Sequence, residues 1–491
     1  MDPILSYIIF LPMLMALLLG LVQAPLYLLR LGAALSAVLV FILVVLIGIY
    51  FDPEGGLQFI RVLPWIKHYG ITYYVGVDAL SFVILALIAI LMPLLYIYMW
   101  TEKRKGYWYN MMLLQTGVTG AVLSLDMILF YLFWETMLLP IFIMIGRYGN
   151  GMRQFHAMKI VLMTILGSMS MLFSILYLGY EFFESNGWWS FALSDLRTLQ
   201  FDPQTSIWLA GGFLLAFAIK IPLLGFHTWM APAYGSAPTP AVVILSAIMA
   251  KLGVYGLWRF GYGLFETTLS YYAPVIMTLA IIGLIYYAVH AIMEQNLRRM
   301  FAYSSGSHLS LIALGVFLLN SYAWSGSLYF IGTHALSSAG IFIMIGLLYK
   351  RARSVSIDDL GGIASVAPRF AFFFVFFALS IAGLPGTGGF VAELLLIIGA
   401  FKVDLWIGIL TATTMLTSML YIFWMLQRTL FGSVNSCTES FTDLNGREMA
   451  MLIPIMLLLL ITGIAPSLFI PLFEPLVTES LQEVMQTIGG R

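Results

Sequence analysis

Seven ionisable side chains stand in or beside stretches that are otherwise apolar. They are Glu135 in FYLFWETMLLP, Lys220 in FLLAFAIKIPLLGF, Lys251 in ILSAIMAKLGVYG, His308 in SSGSHLSLI, His334 in YFIGTHALSSAG, Glu393 in GFVAELLLIIG, and His227 just past Pro222. An ionised side chain at the middle of a bilayer costs about 2.5–3.5 kcal/mol on insertion scales, so the two Glu and two Lys together ask for roughly 10 kcal/mol or more. That rivals the net stability of a whole domain. Each must face protein, water or another of the set. Carboxylates, amines and imidazoles are the groups that take and give protons. Burial disfavours a charged lysine and a nearby carboxylate favours it, so moving a carboxylate by a few ångström switches a lysine between holding and releasing a proton. The chemistry suggested is a proton wire. A structural alternative is a buried Glu–Lys pair that only fixes packing, and a lone buried His is commonly a satisfied core residue. The number of groups, spread over six apolar runs, favours the wire. Ser304, Ser305, Ser307, Thr333, Ser337, Ser338, Thr387 and Tyr255 are candidate hydrogen-bonding stations along it.

The elements that position these groups must be membrane spans. Of the 491 residues, 61% are hydrophobic and only 9% charged, with mean hydropathy +0.98. Too little polar surface exists to cover a water-soluble fold. A net charge of zero leaves no basic footprint for nucleic acid. A single cysteine, Cys437, excludes an intrachain disulfide and a thiolate-held iron–sulfur cluster. No Gly-rich dinucleotide turn, H-E-x-x-H or paired-Cys motif occurs, so no cofactor and no metal is expected in this chain. The N-terminal run MDPILSYIIFLPMLMALLLG lacks a basic leader and reads as a first span.

Runs of about 20 apolar residues, from 3–23 to 449–472, predict an all-α polytopic membrane protein with about 14 transmembrane helices. Loop charges test that number. Of the 23 Lys and Arg, set aside Lys220, Lys251 and the terminal Arg491. Fifteen then follow odd-numbered spans and five follow even-numbered ones. The positive-inside rule puts both termini on the outer side. Loops 51–78 and 180–204 read as outer caps, with 70–77 (GITYYVGV) a candidate strand of a hairpin. Two spans carry breakers, span 7 at KIPLLGFHTWMAPAYG and span 12 at AGLPGTGGF. Such breaks at corresponding places point to inverted repeats with a site near the midplane. The division expected is 1–108 for spans 1–3 with the outer hairpin, 109–260 and 261–428 for two inverted five-helix repeats (spans 4–8 and 9–13), and 429–491 for span 14 and a tail.

The stretches FYLFWETMLLP, KIPLLGFHTW, APTPAVVILSAIMAKLGVYGLWRF, LRRMFAYSSGSHLSL, THALSSAGIFIMIGLLYKR and LPGTGGFVAELLLIIGAF run in the order found in one family. DLNGREMAMLIPIMLLLLITGIAP follows them. The chain resembles the antiporter-like membrane chains of proton-pumping NADH:quinone oxidoreductase, complex I. Relatives occur in multisubunit Na+/H+ antiporters and in ferredoxin- or hydrogenase-linked complexes, which form the alternative reading. Glu393 stands where most sister chains carry lysine, and no long lateral helix follows span 14. Both features resemble the M-type branch. The resemblance implies proton translocation coupled to NADH oxidation and quinone reduction in other subunits. Glu135 would modulate Lys220, Lys251 would be the central relay, His308 and His334 would lie on a hydrophilic axis, and Glu393 would be the exit-side acid. Flavin, iron–sulfur clusters and quinone are implied in partner subunits only. The partners implied are flanking L-type and N-type chains and lipids, in a prokaryotic inner membrane. One departure stands out. The family pattern H-x-W-L-P-D-A-H reads HTWMAPAY here, so Pro232 and Tyr234 replace an acid and an imidazole.

Overall fold

The computed structural model describes residues 3–489 and is helical apart from one hairpin. Among the described residues, ten helical stretches are long and apolar enough to cross a membrane. Helices satisfy their backbone polar groups internally, which a hydrocarbon surrounding demands. The two stretches Leu297–Phe317 and Ser321–Ala352 are 94% buried over their most apolar windows, against 33–39% for Ile4–Leu21, Leu26–Tyr50, Arg153–Asn186, Leu405–Thr429 and Gly446–Ile464. The helices that carry His308 and His334 are therefore the centre, and the less buried helices are the wall. Leu297–Phe317 is also the least apolar of the ten; its Ser and His residues need protein neighbours rather than lipid.

Both breaks fall where the sequence predicts. Helix Pro203–Lys220 stops at Lys220 and the chain resumes as Met230–Ser236. Pro222 cannot donate a backbone hydrogen bond, and Gly225 adopts φ +94°. The freed carbonyls find side chains: Tyr287 Oη donates to the Pro222 carbonyl at 2.5 Å, and Trp229 Nε1 donates to the Ile219 carbonyl at 3.0 Å. Pro368–Ile381 and Gly388–Val403 flank the second break, where Gly383 and Gly386 take φ of +78° and +92°.

Two features differ from the expected pattern. The fifth span bends directly after Glu135: Met127–Thr136 ends and Leu138–Tyr148 begins. Pro140 has no N–H for the Thr136 carbonyl, and Thr136 Oγ1 bonds back to the Leu132 carbonyl at 2.7 Å, a pairing that bends helices. The loop expected near 261–270 is only a kink: two helices meet at Phe265, which leaves helical geometry at φ −138° and ψ 41°. The first of them holds two π turns, Leu245–Met249 and Leu257–Tyr262. Nothing in GYGLFETTLS stops a helix outright; no proline is present until Pro274.

One end of the bundle gathers a hairpin of Gln58–Ile66 and Ile71–Val77. Its turn needs Gly70 at φ +62°, where a Cβ would lie 1.8 Å from the Trp189 carbonyl oxygen. Asp126 caps Met127–Thr136 and accepts from Thr72 N at 2.9 Å, while Leu193 N donates to the Leu125 carbonyl at 2.9 Å. The opposite end gathers the Arg- and Lys-rich turns. There Leu297 N bonds the Val355 carbonyl at 2.9 Å, and Arg351 pairs with Glu448 at 2.6 Å. The segment after Gly446–Ile464 is more than a tail: Glu474–Gly489 forms an amphipathic helix whose Val477 and Val484 are buried.

Candidate functional site

Lys251 lies on Ala250–Gly256, directly after the π turn at 245–249. A π turn widens the helix and disturbs the ordinary carbonyl pairing. Lys251 Nζ takes up one such carbonyl, that of Ser246, and also reaches His334 Nδ1 at 2.8 Å. The ring of His334 stands edge-on to that of His308, with centroids 5.2 Å apart. His308 Nε2 lies 3.4 Å from Glu393 Oε1. Glu393 sits in the second turn after the second break, on Gly388–Val403, and Gly383 of that break comes so close that a Cβ there would lie 2.8 Å from Glu393 Oε2. Lys251, His308, His334 and Glu393 are each at most 1% exposed. Four side chains from four helical segments thus form one line, sealed from lipid.

The line is short of hydrogen bonds. Both nitrogens of His308 and both carboxyl oxygens of Glu393 are buried without a hydrogen-bond partner. An orphaned buried polar group costs about 1–3 kcal/mol, more when charged, so these atoms have donors or water to gain. A neutral imidazole accepts a proton on one nitrogen and can release one from the other. Two imidazoles between an amine and a carboxyl are therefore chemically suited to relay, not only to pack.

Glu135 and Lys220 form a separate group. Lys220, 4% exposed, places its ammonium 4.7 Å from the centroid of the Trp134 ring, beside Glu135 in sequence. Among the described residues no ion pair closer than 4.0 Å joins Glu135 to Lys220. Glu135 Oε1 is buried and unpartnered. Between Lys220 and Lys251 the helices touch through Gly253, where a Cβ would meet Ile221 Cγ1 at 2.6 Å and the Phe217 carbonyl oxygen at 3.0 Å. That close contact is apolar, and no hydrogen bond links the two lysines. His227 belongs to neither group. It is partly exposed in the first break, accepts from Gly225 N at 3.3 Å, and packs edge-on to Tyr286 and Tyr287. Tyr234, at the departure from the family pattern, is fully buried with an unpartnered hydroxyl.

The expected stations are mostly occupied. Ser337 Oγ donates to the His334 carbonyl, Ser338 to Ala335, Thr333 to Tyr329, Thr387 to Leu384 and Ser307 to Leu284. Ser304 instead pairs with Tyr421 Oη at 2.7 Å. The five hydroxyls bonded to carbonyls have spent their single proton, although their lone pairs still accept. The spacing of the sequence left one pair unnoticed. Arg259 is a buried partner of Asp78 at 2.5 Å rather than a loop charge. Its signal was the run Lys251, Tyr255, Arg259, which puts three polar groups on one helix face at intervals of four. Among the described residues no cluster of three or more His, Cys, Asp or Glu suits a metal ion.

The family model described as "NADH:quinone oxidoreductase/Mrp antiporter, TM" matches residues 124–417. The chain belongs to this family. It is 31% identical over 478 residues to NADH-quinone oxidoreductase subunit M of Rhodobacter capsulatus, covering 93% of this chain and 91% of that protein. A chain of respiratory complex I from Thermus thermophilus superposes with TM-score 0.89 at 27% identity, over 98% of this chain and 99% of that one. A chain of the Mrp complex from Dietzia shares the fold at TM-score 0.87 and 19% identity, over 99% and 100% of the two chains. The matched residues contain Glu135, Lys220, Lys251, His308, His334 and Glu393.

Proposed function

We propose that this chain is an M-type membrane-arm subunit of an NADH:quinone oxidoreductase and carries protons across the membrane while other subunits oxidise NADH and reduce quinone. One observation carries the mechanism: the buried contact from Lys251 through His334 and His308 to Glu393. Lys251 passes a proton to His334 Nδ1, the imidazoles hand it on by releasing from the far nitrogen, and Glu393 receives it. Glu135 and Trp134 set the charge that Lys220 feels, and Lys220 sets that of Lys251 across the Gly253 contact. His227 contributes at the mouth of the first break. The redox groups belong to partner subunits.

The spans follow from the same reading. Splitting the 239–293 stretch in two and adding Lys105–Leu123, the broken pair 203–236 and the broken pair 368–403 to the ten apolar stretches gives 14. Repeats 109–260 and 261–428 then each hold one break, flanked by 1–108 and 429–491. Protons enter at the Arg- and Lys-rich end, facing the cytoplasm of a prokaryotic cell, and leave at the hairpin end, where both termini lie. L-type and N-type chains and lipids cover the walls.

The shared fold of the Dietzia Mrp chain supports a second reading, a subunit of a Na+/H+ antiporter. NADH-driven proton uptake by inverted membrane vesicles in Na+-free medium separates the two. Uptake that persists without Na+ supports the first reading, and uptake that requires Na+ exchange rejects it in favour of the second.

A further inference from the structure

The helix face that carries Lys251 continues toward the hairpin end. Tyr255 lies one turn on and Arg259 another, so Arg259 stands about 12 Å from Lys251 along the axis. All of this face is buried, and it ends in a closed chain of polar contacts. Tyr255 Oη donates to the Val122 carbonyl at 2.8 Å and accepts from Arg259 Nε at 3.2 Å. Arg259 Nη2 donates to Asp78 Oδ1 at 2.5 Å. Asp78 in turn caps Ala79–Tyr98 through a reciprocal pairing with Ser81. The second π turn, Leu257–Tyr262, brackets Arg259, a local distortion of the kind that marks functional positions.

Directly beyond this chain is a cavity of about 60 Å³ lined by Asp78, Arg197, Arg259, Glu266, Trp258 and Glu483. At about 30 Å³ for each water it has room for roughly two. Trp258 Nε1, buried without a partner, gives such water a donor. Glu483 belongs to the C-terminal helix Glu474–Gly489, which forms one wall. The buried line therefore has a polar, water-sized chamber above it at the hairpin end. One ion pair stands at the floor of that chamber, on the helix face that leads down to Lys251.

Resting on the reading of the buried line as a proton route, we propose that Asp78 and Arg259, braced by Tyr255, are positioning residues that form its outer closure. While the pair is joined, Lys251 is sealed from the chamber. When Arg259 parts from Asp78, chamber water reaches Lys251, and the amine left neutral after passing its proton to His334 takes one from that water. The line then stands open to outer protons at its Lys251 end. No electron moves, and one proton enters for each that leaves. Without such a closure a connected row would conduct passively and dissipate the gradient it builds.

The test uses inverted membrane vesicles bearing the assembled complex, with redox turnover inhibited and a potassium diffusion potential imposed. A pH-sensitive dye reports passive proton flux. Asp78→Asn and Arg259→Gln are expected to raise that flux by at least about tenfold, because losing one partner of a buried pair penalises the closed state heavily. Adding Lys251→Ala to Asp78→Asn is expected to return the flux to the wild-type level, since the leak runs through Lys251. A general packing defect would leave that leak in place. Asp78→Asn/Arg259→Gln leaves no uncompensated charge, so it assembles even where a single variant does not, and it leaks likewise. Wild-type flux in the assembled variants overturns the proposal, as does a leak that survives Lys251→Ala. Loss of driven pumping in Lys251→Ala alone, with no leak in the Asp78 and Arg259 variants, rejects the closure and leaves the reading of the line standing.

Discussion

His334→Gln separates relay from packing. His334 Nδ1 is the partner of Lys251 Nζ at 2.8 Å, and its ring is the bridge to His308, 5.2 Å away between centroids. Glutamine fills similar space, and its carbonyl oxygen can still accept from Lys251. Most of the charged hydrogen bond, worth about 1.5–3 kcal/mol, is thereby kept. An amide does not take a proton on one atom and release it from another at neutral pH. No hydrogen bond joins Lys251 to His308 directly, since both His308 nitrogens are without a partner, so the His334 ring is the link between them. A positioned acid–base group contributes about 10²–10⁴ in rate, or roughly 3–5 kcal/mol at 1.36 kcal/mol per decade. Proton uptake in His334→Gln vesicles is therefore expected to fall at least a hundredfold, while native gels show the assembled complex at near wild-type amount. Wild-type uptake in the assembled variant refutes the relay. Loss of assembly in His334→Gln with recovery in His334→Phe shows instead that the imidazole is there for packing.

Other perturbations read neighbouring parts of the account. Glu135→Gln should abolish most proton uptake with assembly intact, and Glu135→Asp should be milder because charge is kept; the same dye assay compares them. Glu393→Lys should retain more uptake than Glu393→Ala, since either charged group titrates beside His308; equal rates count against a titrating role there. Gly253→Val should overpack the contact with Ile221 and the Phe217 carbonyl, costing at least about 1–3 kcal/mol, seen as a lower thermal midpoint of the detergent-solubilised complex. Gly70→Ala should unseat the hairpin from the Trp189 carbonyl and expose it to limited proteolysis; an unchanged digestion pattern contradicts the fold given for that end.

Much of this was legible because lipid makes polar groups expensive. Charges inside apolar runs identified Glu135, Lys220, Lys251 and Glu393, and Pro222 with Gly225 and Pro385 with Gly386 located the breaks. Proline and glycine act locally, through a missing N–H or a positive φ, so position alone reveals them. What escaped depends on registry between distant segments. Arg259 reads as a boundary charge until Asp78, 181 residues away, is folded against it. The first π turn leaves no mark in the residue pattern, because Leu, Ala, Ile and Met suit either winding. The partners of several hydroxyl stations are local: Thr333, Ser337, Ser338 and Thr387 find the carbonyl three or four residues back. The C-terminal helix was readable in Val477, Leu481 and Val484, a helical period in a segment too polar to count as a span. The bend after Glu135 was readable as well, since Pro140 stands four residues beyond Thr136.

The most direct test of the buried line is NADH-driven proton uptake by vesicles whose assembled complex carries Lys251→Ala. The account predicts that uptake falls to the level of vesicles lacking the subunit. Uptake at the wild-type rate, with the same amount of assembled complex, would contradict it.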